Sequence, residues 1–269
     1  MISFPNAKIN LGLHIVEKRP DGFHNLASCF YPVGWHDVLE ILPSDTLQFH
    51  STGIAIPEDG QDNLCLRAYH LLKEDFDLPP VHIHLHKVIP IGAGLGGGSA
   101  DAAFTIKSLN ELFSLQLAPS AMQNYARQLG SDCAFFIENT PKYCFGKGDQ
   151  FDDISLDLKN KFLVLVYPDI HVSTAEAYAG MVPTTPPMSI QAIFQQEINQ
   201  WKSLLKNDFE AQIAAKYPII AQLKNQLYDQ GALYASMTGS GSTMFGIFES
   251  PVTLSFPENY ATFSQTLPL

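Results

Sequence analysis

Residues 89–103 read IPIGAGLGGGSADAA, with glycine at 92, 94, 96, 97 and 98 and small, helix-compatible residues directly after. Glycine gives up more conformational freedom on folding than any other residue, so a cluster of it needs a reason. The usual reason is that something must come within hydrogen-bonding distance of main-chain N–H groups. The stretch before it, VHIHLHKVI, alternates with period two and reads as a strand. The stretch after it, SADAAFTIKSLNELF, reads as a helix from about Ser99, with Ala103, Ile106, Leu109, Leu112 and Phe113 near one face. A strand, a glycine loop and a helix N-terminus in that order make a place for an anion. The helix end supplies about +0.5 charge and several unpaired amides.

Three ligands compete for such a loop. A Walker A loop needs GK[ST] after its spacers, and no lysine follows these glycines. Gly92, Gly94 and Gly97 spell the GxGxxG of a dinucleotide site, but that site expects an acid at the end of a second strand about 20 residues on. Glu111 lies instead inside the helical run NELF. The third ligand is a polyphosphate held by the loop amides and the helix N-terminus together. Against all three stands a turn that serves packing alone.

The rest of the chain bounds the setting. Its 269 residues are 46% hydrophobic and 16% charged, a globular composition with room for one large domain or two modest ones. A net charge of −11 argues against general nucleic-acid binding, and it requires an anionic ligand to be held by locally gathered lysines or helix ends. No apolar run reaches the roughly 18 residues of a membrane span, and MISFPNAKINLG lacks the layout of a signal peptide. Cys29, Cys65, Cys133 and Cys144 have no CxxC spacing and sit among apolar residues, as reduced core cysteines of a cytoplasmic protein do. AKINLGLHIV alternates as a strand and breaks at RPDG; Asn63 stands as an N-cap before CLRAYHLL; APSAMQNYARQLG reads as a helix closed by Gly130; KFLVLVYPD reads as a buried strand. His82, His84 and His86 share one strand face and read as a solvated or hydrogen-bonded row, since no further ligand completes a zinc site. The class is α+β, with a boundary near residue 155 and strands shared across it: residues 1–155 form one domain and 156–269 a second.

PIGAGLGGGSADAA resembles the phosphate loop of the GHMP kinases, small-molecule kinases without a Walker lysine. PNAKINLGLHIVEKRPDGFHNLAS near the N-terminus and ASMTGSGSTMFGIF near the C-terminus resemble two further motifs of that family, in the right order. LGSDCAFFI and CFGKGDQF add to the likeness, which spans roughly residues 1–248 and is specific to the branch whose acceptor is a cytidine diphosphate-linked methylerythritol. The resemblance implies a two-domain α+β GHMP kinase fold with the active site in the interdomain cleft. It implies ATP and Mg²⁺, a phosphorylated 2-hydroxyl and a place in the non-mevalonate isoprenoid pathway; homoserine or mevalonate-type kinases are the alternative. The small molecule is the expected partner, with no nucleic acid, no membrane and a monomer or weak homodimer. Three positions depart from the family: Ala100 follows Ser99 where a second serine is usual, Phe23 stands for a tyrosine, and Ala134 for a proline.

By the same resemblance Asp132 takes the proton of the attacking hydroxyl and Lys8 assists it, as base and ammonium. On sequence alone Asp132 is an ordinary N-cap and Lys8 a surface lysine, although Lys8 and Asn10 form a polar pair on one face of an apolar strand. Pro90, Ile91, Gly92, Ala93, Gly94, Leu95, Gly96, Gly97, Gly98, Ser99 and Ala100 are expected to bind ATP, with the adenine near Asn63 and the strand of Lys87. Asn10, Phe23, His24, Thr174, Tyr178, Gly239, Ser240 and Gly241 are expected on the acceptor. Phe23 and Tyr178 would sandwich cytosine from opposite sides of the domain boundary, and His24 would read its edge. No cluster marks a protein metal site, so Mg²⁺ is expected on phosphates and water.

Overall fold

The computed structural model describes residues 1–56 and 63–267. In chain order the strands are β1 (Ile2–Ser3), β2 (Asn6–Lys18), β3 (His24–His36), β4 (Val38–Pro43), β5 (Gln48–Gly53), β6 (Val81–Lys87), β7 (Lys142–Phe145), β8 (Gln150–Asp153), β9 (Phe162–Tyr167), β10 (Tyr234–Met237), β11 (Met244–Phe248) and β12 (Ala261–Thr266). The helices are α1 (Leu64–Asp75), α2 (Gly97–Leu112), α3 (Pro119–Leu129), α4 (Phe135–Glu138), α5 (Thr174–Tyr178), α6 (Ile190–Ile193), α7 (Trp201–Leu204), α8 (Glu210–Lys216) and α9 (Ile219–Asp229).

These elements form two compact units that interleave along the sequence. The first takes Met1–Lys8, Gly34–Ile91 and Gly96–Thr140; the second takes Ile9–Val33, Gly92–Leu95 and Pro141–Leu269. A single cut near 155 does not describe this division, because most of β2 and β3 joins β7 and β8 in one sheet of order β2-β3-β7-β8.

The first unit is a sheet of order β1-β4-β6-β5 with α1 to α4. Leu39 pairs with Leu85 and Ile41 with Ile83, and all four are sealed from solvent on the face that α2 covers. The alternate residues of β6 form the histidine row read from the sequence. His84 and His86 each hydrogen-bond the Thr52 hydroxyl, at 3.0 and 2.9 Å, and His50 leans on the His84 ring. Asn63 caps α1 through the amide of Cys65 at 2.8 Å, and α3 stops at Gly130, whose backbone is extended and whose amide donates to the Ala126 carbonyl. Ala103, Ile106 and Leu109 are buried on the inner side of α2.

The second unit adds a sheet of order β10-β11-β9-β12, antiparallel throughout. FLVLVY of β9 is an unbroken apolar run because β9 is flanked on both sides, and α9 lies over β10 and β11. The four cysteines are free and buried.

Candidate active site

Within the first unit, Lys8 lies on β2 and is 3% exposed, and its Nζ is 3.4 Å from Oδ2 of Asp132. Asp132 is on the turn before α4 and half-buried; its Oδ1 accepts from the Ser131 hydroxyl at 3.1 Å. Its carboxylate caps no helix, because α4 begins beyond it with Ala134 at the cap position. An ammonium taken out of water needs a partner, and a carboxylate in reach of solvent beside it can take a proton from a bound hydroxyl. The pair is joined to the glycine loop through Gly96. A side chain at 96 would sit 3.1 Å from Lys8 Cε and 3.2 Å from Phe136, and φ there is +71°. Gly96 therefore admits the lysine stem and supplies the left-handed turn at the head of α2.

α2 begins at Gly97, inside the glycines, rather than at the expected Ser99. The first amide to find an acceptor one turn back is Ala100, on the Gly96 carbonyl at 2.9 Å. Helix geometry leaves the amides of Gly97, Gly98 and Ser99 for a ligand. Gly98 is exposed, with only Leu64 within 4 Å of the place a Cβ would take, whereas Gly97 and Ala100 are buried. Burial pushes the Cys133 thiol up to about 12, and the Ser99 hydroxyl opposes that rise. Pro90 is buried and Ile91 partly so. The Lys87 ammonium is buried between Asp37 and Asp101. Among the described residues no three His, Cys, Asp or Glu side chains group as metal ligands.

Within the second unit, the other half of the loop is laid against the β10–β11 hairpin. The Thr238 hydroxyl accepts from the Asn10 backbone amide at 2.9 Å and donates to the Gly94 carbonyl at 3.2 Å; Thr243 N–H donates to the Ala93 carbonyl at 3.3 Å. A Cβ on Gly94 would stand 2.2 Å from the Thr238 oxygen, and one on Gly239 2.8 Å from the Gly94 oxygen. These two glycines allow backbone to touch backbone. Ala93 and Leu95 are buried, and Gly92 is exposed. Asn10 also donates to Ser28 Oγ at 2.8 Å. Gly239, Ser240 and Gly241 form the hairpin loop, Ser240 being partly exposed. Asn207 holds that loop with one amide group, donating to the carbonyls of Met237 and Gly239 at 2.8 and 2.9 Å.

His24, at the start of β3, stacks on Tyr178 with ring centroids 5.1 Å apart, and Tyr178 meets Phe209 edge-on at 4.8 Å. Thr174 opens α5 and is exposed. Phe23 is 58% exposed with Lys147 over its ring at 5.0 Å. The structure stacks His24 on Tyr178 and sets Lys147 over the Phe23 ring, and Phe23 and Tyr178 belong to the same unit. All the acceptor-side residues expected from the sequence, from Asn10 to Gly241, fall in the second unit, while Lys8 and Asp132 fall in the first. Sequence reasoning missed Asn207 and the anchoring role of Thr238. Thr238 adjoins the glycines of TGSG and could have been found there; Asn207 lies in KNDF, which carries no motif.

Two family profiles match the chain: the GHMP kinases N terminal domain over residues 63–139 and the GHMP kinases C terminal domain over 189–255. With the α+β fold and the glycine loop at a helix N-terminus, they define an ATP-using kinase of the GHMP class that acts on a small molecule. The 4-diphosphocytidyl-2-C-methyl-D-erythritol kinase of Cytophaga hutchinsonii is 56% identical over 251 residues, 93% of each chain, and that of Parabacteroides distasonis is 48% identical over 93% of each. A crystal structure of 4-(cytidine 5'-diphospho)-2C-methyl-D-erythritol kinase superimposes with a TM-score of 0.80 at 29% identity, covering 93% of this chain and 91% of that one. The chain belongs to the 4-diphosphocytidyl-2-C-methyl-D-erythritol kinase family.

Proposed function

We propose that this kinase transfers the γ-phosphoryl group of ATP to the 2-hydroxyl of 4-diphosphocytidyl-2-C-methyl-D-erythritol, within the non-mevalonate isoprenoid pathway. The observation that carries the chemistry is the buried Lys8 ammonium beside the accessible Asp132 carboxylate. The hydroxyl oxygen attacks the γ-phosphorus, the bond to the β–γ bridging oxygen breaks, ADP leaves, and Asp132 receives the hydroxyl proton. Lys8 pairs with Asp132 and faces the charge of the transferring group. The amides of Gly97, Gly98 and Ser99 hold phosphate oxygens, with Pro90 to Ala100 as the ATP loop. Mg²⁺ neutralises phosphate charge when bound; phosphates and water hold it, with the Ser99 hydroxyl the loop's own oxygen donor.

His24 and Tyr178 recognise cytosine, the first by its hydrogen-bonding edge and the second by its ring face. Phe23 supplies a further aromatic face, Thr174 and Ser240 hydroxyls, and Asn10, Gly239 and Gly241 polar groups toward the rest of the acceptor. The first unit is the ATP-binding one and the second the acceptor-side one, with residues 9–33, 92–95 and 141–155 belonging to the second rather than following a cut at 155. No described helix is long and apolar enough to cross a membrane. The kinase works in the cytoplasm as a monomer or weak homodimer, with no nucleic-acid partner.

A coupled ADP-release assay tests the substrate directly. The cytidine diphosphate-linked substrate should be turned over, and homoserine and mevalonate should not. Cytidine diphosphate should bind more tightly than uridine diphosphate, and His24→Ala should erase the difference, because the two bases present opposite donor and acceptor patterns at that edge. Turnover of homoserine in preference to the cytidine compound would overthrow the assignment.

A further inference from the structure

Three charged side chains are sealed together at the foot of the glycine loop. Lys87, the last residue of β6, is 3% exposed; Asp37, between β3 and β4, is 0%; Asp101, one turn into α2, is 3%. The Lys87 ammonium donates to Asp37 Oδ2 at 2.6 Å and to Asp101 Oδ2 at 2.7 Å. The other oxygen of Asp37 accepts from the amides of Val88 and Ile89, at 2.6 and 2.8 Å. Those are the two residues by which the chain leaves β6 for the loop. The Asp37 amide in turn donates to the Pro5 carbonyl at 2.8 Å.

The far end of the loop rests on the same ammonium. A Cβ on Gly97 would stand 3.0 Å from Lys87 Nζ and 3.0 Å from Ile89 Cγ2, so the first turn of α2 settles there because residue 97 has no side chain. This glycine is explained by the lysine beneath it, whatever binds above. A buried cation under a helix N-terminus is disfavoured by the helix dipole, and burying ions is a poor route to stability compared with apolar packing. What the arrangement does supply is a fixed distance. One ammonium joins a carboxylate that grips the start of the loop to a carboxylate on the helix that ends it.

We propose that Asp37, Lys87 and Asp101 are positioning residues for the phosphates of ATP, clamping the two ends of the glycine loop and setting the spacing of its amides. The proposal rests on the reading of that loop as the phosphate site. Lys87 itself touches no phosphate, since its donors are turned inward.

The test separates the phosphate contribution from overall integrity. ATP and adenosine are titrated calorimetrically into the wild type, Asp101→Asn, and the paired apolar replacement Lys87→Met with Asp101→Leu, each checked for folding by circular dichroism. The wild type should bind ATP far more tightly than adenosine. In the variants adenosine affinity should stay within about twofold while ATP affinity falls about tenfold for the paired replacement and several-fold for Asp101→Asn. A merely structural role would lower both ligands together, and that result overturns the proposal, as does unchanged ATP affinity in either folded variant. Failure of both variants to fold overturns it too, by assigning the triad to folding. Equal affinity of the wild type for ATP and adenosine would instead remove the phosphate reading of the loop, and the proposal with it.

Discussion

A lysine that is 3% exposed with its Nζ 3.4 Å from a half-buried aspartate is the arrangement on which the proposed chemistry turns. If Asp132 accepts the proton, Asp132→Asn should preserve ATP binding and lower kcat by ~10²–10⁴, or ~3–5 kcal/mol of barrier. Lys8→Ala should be comparably harmful, and the double variant should lose far less than the product of the two, because groups that act as a unit are not additive. Steady-state rates at saturating substrate, with ATP titrated separately, decide it; near-normal turnover in Asp132→Asn ends the base assignment. That these two side chains meet was legible through their motifs. Thr238 and Asn207 were less so, for a physical reason: their work is to hold carbonyls of loops remote in sequence. Nothing local to a residue announces which distant loop it meets.

Among elements, the glycine loop divides its glycines between different tasks. Gly94 and Gly239 let two backbones touch, Gly96 admits Lys8, Gly97 seats on Lys87, and Gly98 has space around it. Gly94→Ala places a methyl group 2.2 Å from a carbonyl oxygen at φ +79°. It should destabilise the fold by more than the ~1–2 kcal/mol of a left-handed L-residue alone. Gly98→Ala, in the first turn of α2, should be neutral or stabilising by up to ~1 kcal/mol. Urea midpoints of the two variants make the comparison, and equal stabilities would dismiss the interlocked loops. β6, β9, α1 and the inner face of α2 were readable because one periodicity or one cap specifies each of them. The loop was readable as glycine-rich, but not glycine by glycine, since each is explained by a neighbour from another part of the chain.

At the scale of the whole molecule, the triad gives stability a pH dependence. Burial, its largest cause, raises the Asp101 carboxyl to about 7; the Asp37 carboxylate adds to the rise, the Lys87 ammonium opposes it, and the nearby Cys65 thiol on α1 is itself pushed up to about 12 and stays neutral. The folded chain thus binds this proton more tightly than the unfolded chain, whose carboxyl titrates near 4. Its stabilising contribution is complete below about pH 4 and is lost as pH rises through about 7. Asp101→Asn should therefore gain stability relative to the wild type between pH 5 and pH 8, measured by urea unfolding at both; an unchanged difference would show that the carboxyl is not raised. The α+β class and the family were legible from three ordered motifs. Shared strands were expected, but which strands they would be was not legible, because β3 finds its sheet partner β7 more than a hundred residues later.

The burial of all four cysteines has a practical corollary. Cys29, Cys65 and Cys133 have thiols driven well above the ordinary range by their surroundings, so thiolate is scarce in the folded protein. The native surface is chemically silent toward maleimides. One cysteine introduced on an exposed position of each unit would carry a fluorophore pair without first stripping the native thiols, and energy transfer between the dyes would follow the chain through a turnover, molecule by molecule.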